Sequence, residues 1–150
     1  MTDTRLGIQE EEEEFIRDFN EVGDWLLQYD CLLSLTVQMQ PLRPEERCEA
    51  NRITSCQAAL WLVLSYENGR VHIRADSESL IVKGIVAVII ALLDDRTPAE
   101  ICAARLHFIE RTSLYKQIST DRFNGMQNLI RMIKDYAGQC ASGTDSMCAG

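Results

Sequence analysis

The chain has 150 residues, 46% of them hydrophobic, and its 15 basic and 23 acidic side chains give a net charge of −8. A chain of this length buries enough apolar surface to fold as one domain without disulfides or a structural metal. The charge excludes a basic surface of the kind that binds nucleic acid. Five of the acidic residues form one run, Glu10 to Glu14, and we expect residues 1–14 to be an acidic lead outside the folded domain.

The expected location is the cytoplasm, because the first residues resemble neither a secretory signal nor a transit peptide. The apolar stretch from Leu80 to Leu93 contains Lys83 and is shorter than the ~17 residues that a bilayer requires. It therefore predicts a buried helix and no membrane association. The six cysteines are expected to be thiols, and their spacing contains no C-x-x-C pair of the kind found in zinc or thioredoxin-like sites.

One helix is predicted after the acidic run, where apolar residues recur at helical spacing from Asp24 to Met39. Because the residue before a proline disfavours the helical conformation, this helix is expected to end before Pro41. The next stretch, Arg43 to Ser55, is polar and has neither a helical nor a strand period. It is predicted to be an exposed loop.

A β-hairpin gives the clearest strand signal in the chain. Its strands are predicted over Ala59 to Tyr66 and Arg70 to Ala75, and Asn68-Gly69 between them favours a tight type I′ turn. Apolar and polar residues alternate along the second strand. One face of the sheet should therefore be buried and the other solvated.

Three helices are predicted beyond the hairpin. Asp76-Ser77-Glu78 offers a side-chain cap to an apolar helix from Leu80 to Leu93. Thr97-Pro98-Ala99-Glu100 is a capping box that starts a short helix. The spacing of apolar residues around Met126 to Ile133 predicts an amphipathic last helix, which Gly138 is expected to terminate.

These elements predict an α+β fold, with helices packed on one face of a small antiparallel sheet. The expected domain covers residues 15–138, and residues 139–150 are expected to be a flexible tail. The sequence contains no internal repeat and no glycine-rich phosphate loop.

Cys56 differs from the other cysteines because it lies where the polar loop meets the first strand. At such a position a thiol can be exposed while the chain beside it is anchored. Cys31 and Cys102 lie within helical patterns and are expected to be small buried residues. Cys140 and Cys148 are expected to be exposed, idle thiols of the tail.

The motifs around Cys56 follow one another in a specific order: Asn51-Arg52-Ile53-Thr54-Ser55-Cys56-Gln57, Trp61, the hairpin, Asp76-Ser77-Glu78 and Ile81-Val82-Lys83-Gly84. This order resembles the SufE family of sulfur acceptors. Members of that family carry Asn-x-Val/Ile-x-Gly-Cys-Gln-Ser, a tryptophan, a hairpin, Asp-Ser-Asp/Glu and Ile-Val-Lys-Gly. The resemblance covers roughly residues 15 to 138 and implies a SufE-like fold.

The chain departs from the family pattern at two positions beside the cysteine, where Ser55 replaces a glycine and Ala58 replaces a serine. Neither change removes the reacting thiol. Because serine restricts φ more than glycine does, the first change bears on transfer rate or partner choice rather than on the type of reaction. Cys48, in the same loop, is interpreted as a neutral substitution in preference to a resolving thiol.

The resemblance implies that Cys56 accepts sulfur from the persulfide of a pyridoxal-phosphate-dependent cysteine desulfurase of the SufS or CsdA type. The protein would stimulate that enzyme and pass the sulfur to an iron–sulfur scaffold complex. Pyridoxal phosphate belongs to the partner, so no cofactor of its own is expected beyond a transient persulfide on Cys56. A monomer or weak dimer is expected.

Five further residues are candidates for supporting roles. The resemblance places a family glutamate at Glu110 and a family arginine at Arg122. If the fold brings it close, Arg122, or Arg52 in the loop, would raise the thiolate fraction of Cys56, and Glu110 would orient Arg122. The alternative for Arg122 and Glu110 is an ordinary surface ion pair. Asp76 is interpreted as a helix cap in preference to a partner contact, and Gln57 is a candidate partner contact.

Two other functions stay open at this point. One is a regulatory module that binds a desulfurase without carrying sulfur. The other, less favoured, is a hydrolase in which Cys56 is the nucleophile and His72 or His107 the base. Such a hydrolase also needs an orienting group and an oxyanion hole, and nothing in the sequence fixes either of them.

Overall fold

The structure, a computed structural model, describes residues 5–53 and 59–142. Within these ranges the chain forms six α-helices and one two-stranded antiparallel sheet, which confirms the predicted α+β class. In chain order the elements are α1 (Ile8–Val22), α2 (Trp25–Val37), β1 (Leu60–Glu67), β2 (Arg70–Ser77), α3 (Leu80–Leu93), α4 (Pro98–Ala103), α5 (Leu114–Gln117) and α6 (Thr120–Ala141). Short 3₁₀ turns at Pro44–Glu46 and Glu49–Asn51 shape the loop before β1.

The hairpin forms as predicted. Leu60 pairs with Ser77 at one end and Glu67 with Arg70 at the other. The turn residue Asn68 has φ 55° and Gly69 has φ 76°, the left-handed conformations that a type I′ turn requires. The apolar residues of β2 face the core, and its polar residues alternate with them.

Helix α3 has the predicted bounds and forms the centre of the core. Its N-cap is Ser79, whose Oγ accepts a hydrogen bond from the Val82 N–H at 3.4 Å. The prediction that Asp76 caps this helix is wrong, because Asp76 lies within β2. A Cβ on Gly84 would lie 2.9 Å from Cβ of Leu32, so glycine here allows α2 to approach α3 closely.

The glutamate run, expected to lie outside the folded domain, is part of α1. Ile8, Ile16 and Phe19 of this helix are buried in the core. Between them lies Glu12, which is 1% exposed and accepts a hydrogen bond from the His107 N–H. Buried apolar residues therefore hold the acidic segment against the rest of the domain.

Three cysteines differ from expectation. Cys31 and Cys102 are exposed, although their helical patterns predicted burial. Cys140 is 5% exposed, although it was expected in an exposed tail. The reason for the last error is that Gly138 does not end α6, which continues to Ala141. Cys148 lies outside the described residues.

Candidate functional site

The chain on both sides of residues 54–58 is anchored to the hairpin. Before them, the N–H of Ile53 donates to the carbonyl of Leu60 at 2.8 Å. After them, the carbonyl of Ala59 accepts from Oγ of Ser77 at 2.6 Å and from the N–H of Glu78 at 3.1 Å. Cys56, Gln57 and the two family departures beside them lie outside the described residues. In the sequence, Cys56 is three residues from each anchor.

Asp76 is the central charge beside these anchors. It is 7% exposed, and its carboxylate accepts from the N–H of Ser77 at 2.8 Å. Lys83 lies 3.2 Å from one carboxylate oxygen, and the guanidinium of Arg47 pairs with the other. Two cations therefore share one buried carboxylate, and they join the loop before the cysteine to β2 and α3. The same guanidinium lies 5.8 Å from the ring centroid of Trp61, within the range of a cation–π contact.

A second ion pair holds the same loop against β2. Both carboxylate oxygens of Glu46 accept from the guanidinium of Arg74, at 2.7 and 2.6 Å, a bidentate arrangement that is among the stronger ion pairs. The backbone N–H of Arg43 also donates to this carboxylate at 2.8 Å. The hydrogen bonds from Arg74, followed by that from Arg43, lower the pKa of Glu46 to about 2.

We expect Glu46→Gln to lower the stability of the protein near neutral pH and to make little difference in strong acid. A carboxyl group whose pKa falls on folding stabilises the folded state above its unfolded pKa. That contribution should decline as the pH falls from about 4.5 towards about 2. Urea unfolding of both proteins at a series of pH values measures it. Glu45→Gln, at an exposed position 3.8 Å from Arg43, is the control, and a difference that did not vary with pH would contradict this expectation.

The other predicted supporting residues that the structure describes make no hydrogen bond or ion pair with Asp76, although Arg52 lies beside Trp61, which pairs with Asp76 across the hairpin. The N–H groups of the first turn of α6 are capped by Ser119, whose Oγ accepts from the N–H of Arg122 at 3.2 Å. Glu110 lies in the turn before α5, with its carboxylate 3.7 Å from Nδ1 of His107. Among the described contacts there is no ion pair between Glu110 and Arg122. Arg52 forms a backbone bridge with Trp61.

The histidines of the hydrolase hypothesis lie in different surroundings. His107 is in the turn after α4, and its side chain is 58% exposed beside Glu110. His72 lies on β2 opposite Ser65 and lines a polar cavity of about 360 Å³. Over residues 5–53 and 59–142, no three His, Cys, Asp or Glu side chains gather in an arrangement suited to a metal ion. In the same part of the chain, no helix combines the length and hydropathy needed to cross a bilayer.

Comparison with known families decides which group this chain belongs to. The model of the SufE family, described as an Fe-S metabolism associated domain, matches residues 13–137. The chain belongs to the SufE family. Its role therefore lies in iron–sulfur metabolism. The fold is also similar to the solution structure of a hypothetical protein from Thermus thermophilus, with a TM-score of 0.72 and 16% identity over 87% of this chain and 96% of that chain.

One of the SufE motifs has two structural roles in this chain. In the motif around Lys83 and Gly84, the lysine points outward to Asp76 and the glycine inward to Leu32 of α2. One short sequence thus supplies a charge to the site and a close helix contact to the core. Sequence reasoning missed Arg47, whose pairing with Asp76 crosses from the loop to the sheet. The signal available was a basic residue in a loop that otherwise showed no period.

Proposed function

We propose that this SufE protein accepts sulfur on Cys56 from the persulfide of a cysteine desulfurase and passes it on for iron–sulfur cluster assembly. The observation that carries the proposal is the match of the family model across residues 13–137, which includes Cys56. The desulfurase partner, the scaffold that receives the sulfur, the cytoplasmic location and the lack of a resident cofactor stay predictions from the sequence.

The proposed transfer is a thiol–persulfide exchange. The thiolate of Cys56 attacks the outer sulfur of the desulfurase persulfide, and the bond between that sulfur and the desulfurase cysteine breaks. The desulfurase leaves as a thiolate, and Cys56 holds the transferred atom as a persulfide. No oxidant or reductant is consumed, because the sulfane sulfur changes carrier without a change in oxidation state. An unperturbed thiol with a pKa of about 8.5 is mostly protonated at pH 7, so positive charge near Cys56 would speed this step.

The arrangement of the described residues supports this proposal. The chain enters and leaves residues 54–58 at points bound to one hairpin, through Ile53 and Ala59. The cations Arg47 and Lys83 are held next to these points by Asp76. A carrier needs such fixed supports because its cysteine must meet two partners in turn, and anchored flanks limit the conformations that have to be ordered at each encounter.

Intact-mass measurement after incubation with a cysteine desulfurase, its pyridoxal phosphate and L-cysteine tests the proposal. The wild-type protein should gain the mass of one sulfur atom, and a thiol reductant should remove it. Cys56→Ser should gain none. Cys48→Ser, which removes an exposed thiol of the same loop, should gain the atom as the wild type does. Failure of the wild type to gain sulfur, or an unchanged gain in Cys56→Ser, would overturn the proposal.

A further inference from the structure

Helices α1 and α2 both pack on α3 but leave a groove between them. The groove lies near the C-terminal end of α3, whereas the anchors of residues 54–58 lie near its N-terminal end. Two cavities, of about 280 and 250 Å³, lie in it and share Phe15, Asp18 and Leu35 as lining residues. We call this feature the α1–α2 groove. Its floor is apolar and includes Val88 and Leu92 of α3. On α1 it extends from Glu11 to Val22, about 16 Å at 1.5 Å per residue.

The wall formed by α2 is also apolar. Cys31 and Leu35 line the groove, and Leu27 lies one turn before Cys31 on the same side of the helix. Leu27 is 53% exposed, so its side chain continues the apolar wall at the protein surface. The three residues form a stripe at the spacing with which one helix packs against another.

The wall formed by α1 is acidic, and one of its carboxylates has no partner among the described residues. Glu11 pairs with Arg96, Glu12 accepts from the His107 N–H, and Glu13 pairs with Arg111. Glu14, which lines the groove, makes no hydrogen bond or ion pair with any of the described residues. Asp18 also lines the groove and is 70% exposed, with Arg17 of the same helix as its partner. No lysine or arginine is among the described residues that line the two cavities.

We propose that the α1–α2 groove binds a basic amphipathic helix of a partner protein. An apolar floor between two helices fits the apolar face of a third helix. The carboxylates of Glu14 and Asp18 on the rim complement lysines or arginines at the edge of that face. The length of the groove accommodates three helical turns. Two other occupants, a second copy of this chain and an anionic lipid surface, are disfavoured by charge. This chain has a net charge of −8, so the acidic rim would repel both.

This surface is separate from the sulfur-accepting site. The anchors of the cysteine segment lie at the N-terminal end of α3, beside Ser77 and Glu78, whereas the groove uses residues from Val88 to Leu92 near its C-terminal end. The groove and the anchors of residues 54–58 therefore share no residues. Variants in the groove should leave sulfur uptake by Cys56 unchanged, so the two proposals fail independently.

Fluorescence anisotropy with a labelled model peptide tests the groove. The probe is a leucine–lysine peptide of about 15 residues, a length at which isolated helices begin to be stable, with leucines at i, i+3, i+4 and i+7. A scrambled peptide of the same composition is its control. The wild-type protein should bind the amphipathic peptide more tightly than the scrambled one, and added salt should weaken binding.

Matched variants locate the binding. Glu14→Lys should weaken binding about tenfold, because it removes an attraction and adds a repulsion. Asp135→Lys, at an exposed position on α6, changes the net charge equally and should have little effect. Leu27→Ser should weaken binding, whereas Leu26→Ser, 71% exposed on a different side of α2, should not. Equal effects of Glu14→Lys and Asp135→Lys, or equal binding of the scrambled peptide, would overturn the proposal in favour of non-specific charge attraction.

Discussion

Cys56→Ser is expected to abolish the stimulation of a cysteine desulfurase that the proposed sulfur transfer predicts for this protein. The desulfurase cannot begin a new cycle until its persulfide has lost the outer sulfur, so an acceptor thiol raises the steady-state rate of alanine release from cysteine. Serine provides no thiolate at any accessible pH and cannot attack a sulfur–sulfur bond. A thiol reductant at the same concentration in every assay discharges the Cys56 persulfide, because the carrier otherwise holds only one sulfur atom. Under these conditions the rate with Cys56→Ser should fall to that of the desulfurase alone.

The control for this measurement is Cys48→Ser, because Cys48 is exposed in the loop that precedes the anchors. That variant should stimulate the desulfurase as the wild type does. If Cys56→Ser kept full stimulation while the wild type gained no sulfur, the protein would act as a regulatory module. The hydrolase alternative is tested with an activated ester. Equal rates of hydrolysis by the wild type and Cys56→Ser would rule it out.

Local patterns were sufficient to predict the hairpin and α3 but not α1. The Asn68-Gly69 turn and the bounds of α3 depend on residues next to one another in the sequence. In α1 the buried positions include Glu12, whose carboxylate is satisfied by the backbone of His107, far away in the sequence. A charged residue at a core position interrupts the apolar pattern from which a helix is predicted. Its burial is explained only by the tertiary contact.

The candidate site was also predicted only in part from the sequence. The order of the motifs along the chain predicted the SufE family, which the match of the family model over residues 13–137 confirms. The motifs did not identify the role of Asp76, because Ser79 three residues later is an equally good cap and in fact caps α3. The pairing of Asp76 with Arg47 and Lys83 depends on how the loop folds against β2. No spacing rule within one element predicts such a contact.

Arg96→Met is expected to lower the free energy of unfolding by about 3 kcal/mol, the lower part of the range for removing one member of a buried ion pair. Arg96 is 2% exposed. Its guanidinium donates to Glu11 of α1 at 2.8 Å, to Glu100 of α4 at 3.3 Å and to the carbonyl of Leu92 in α3 at 3.2 Å. Methionine keeps the apolar stem but leaves these three acceptors without their donor. The loss is limited because both carboxylates reach solvent.

Urea unfolding of Arg96→Met and Arg111→Met measures the loss of stability. The second variant is the control, because it removes an exposed arginine–glutamate pair instead of a buried one. Arg111 also binds a glutamate of the acidic run, Glu13, but both members of that pair are about half exposed, so loss of the pair should lower the free energy of unfolding only slightly. Arg96→Lys should lie between the two variants, because lysine keeps the charge and loses the fork that reaches three acceptors. If Arg96→Met and Arg111→Met were equally stable, the buried ion pairs of Arg96 would contribute no more to stability than the exposed pair of Arg111. The excess cost at Arg96 therefore measures the stability gained because one buried guanidinium joins Glu11, Glu100 and Leu92.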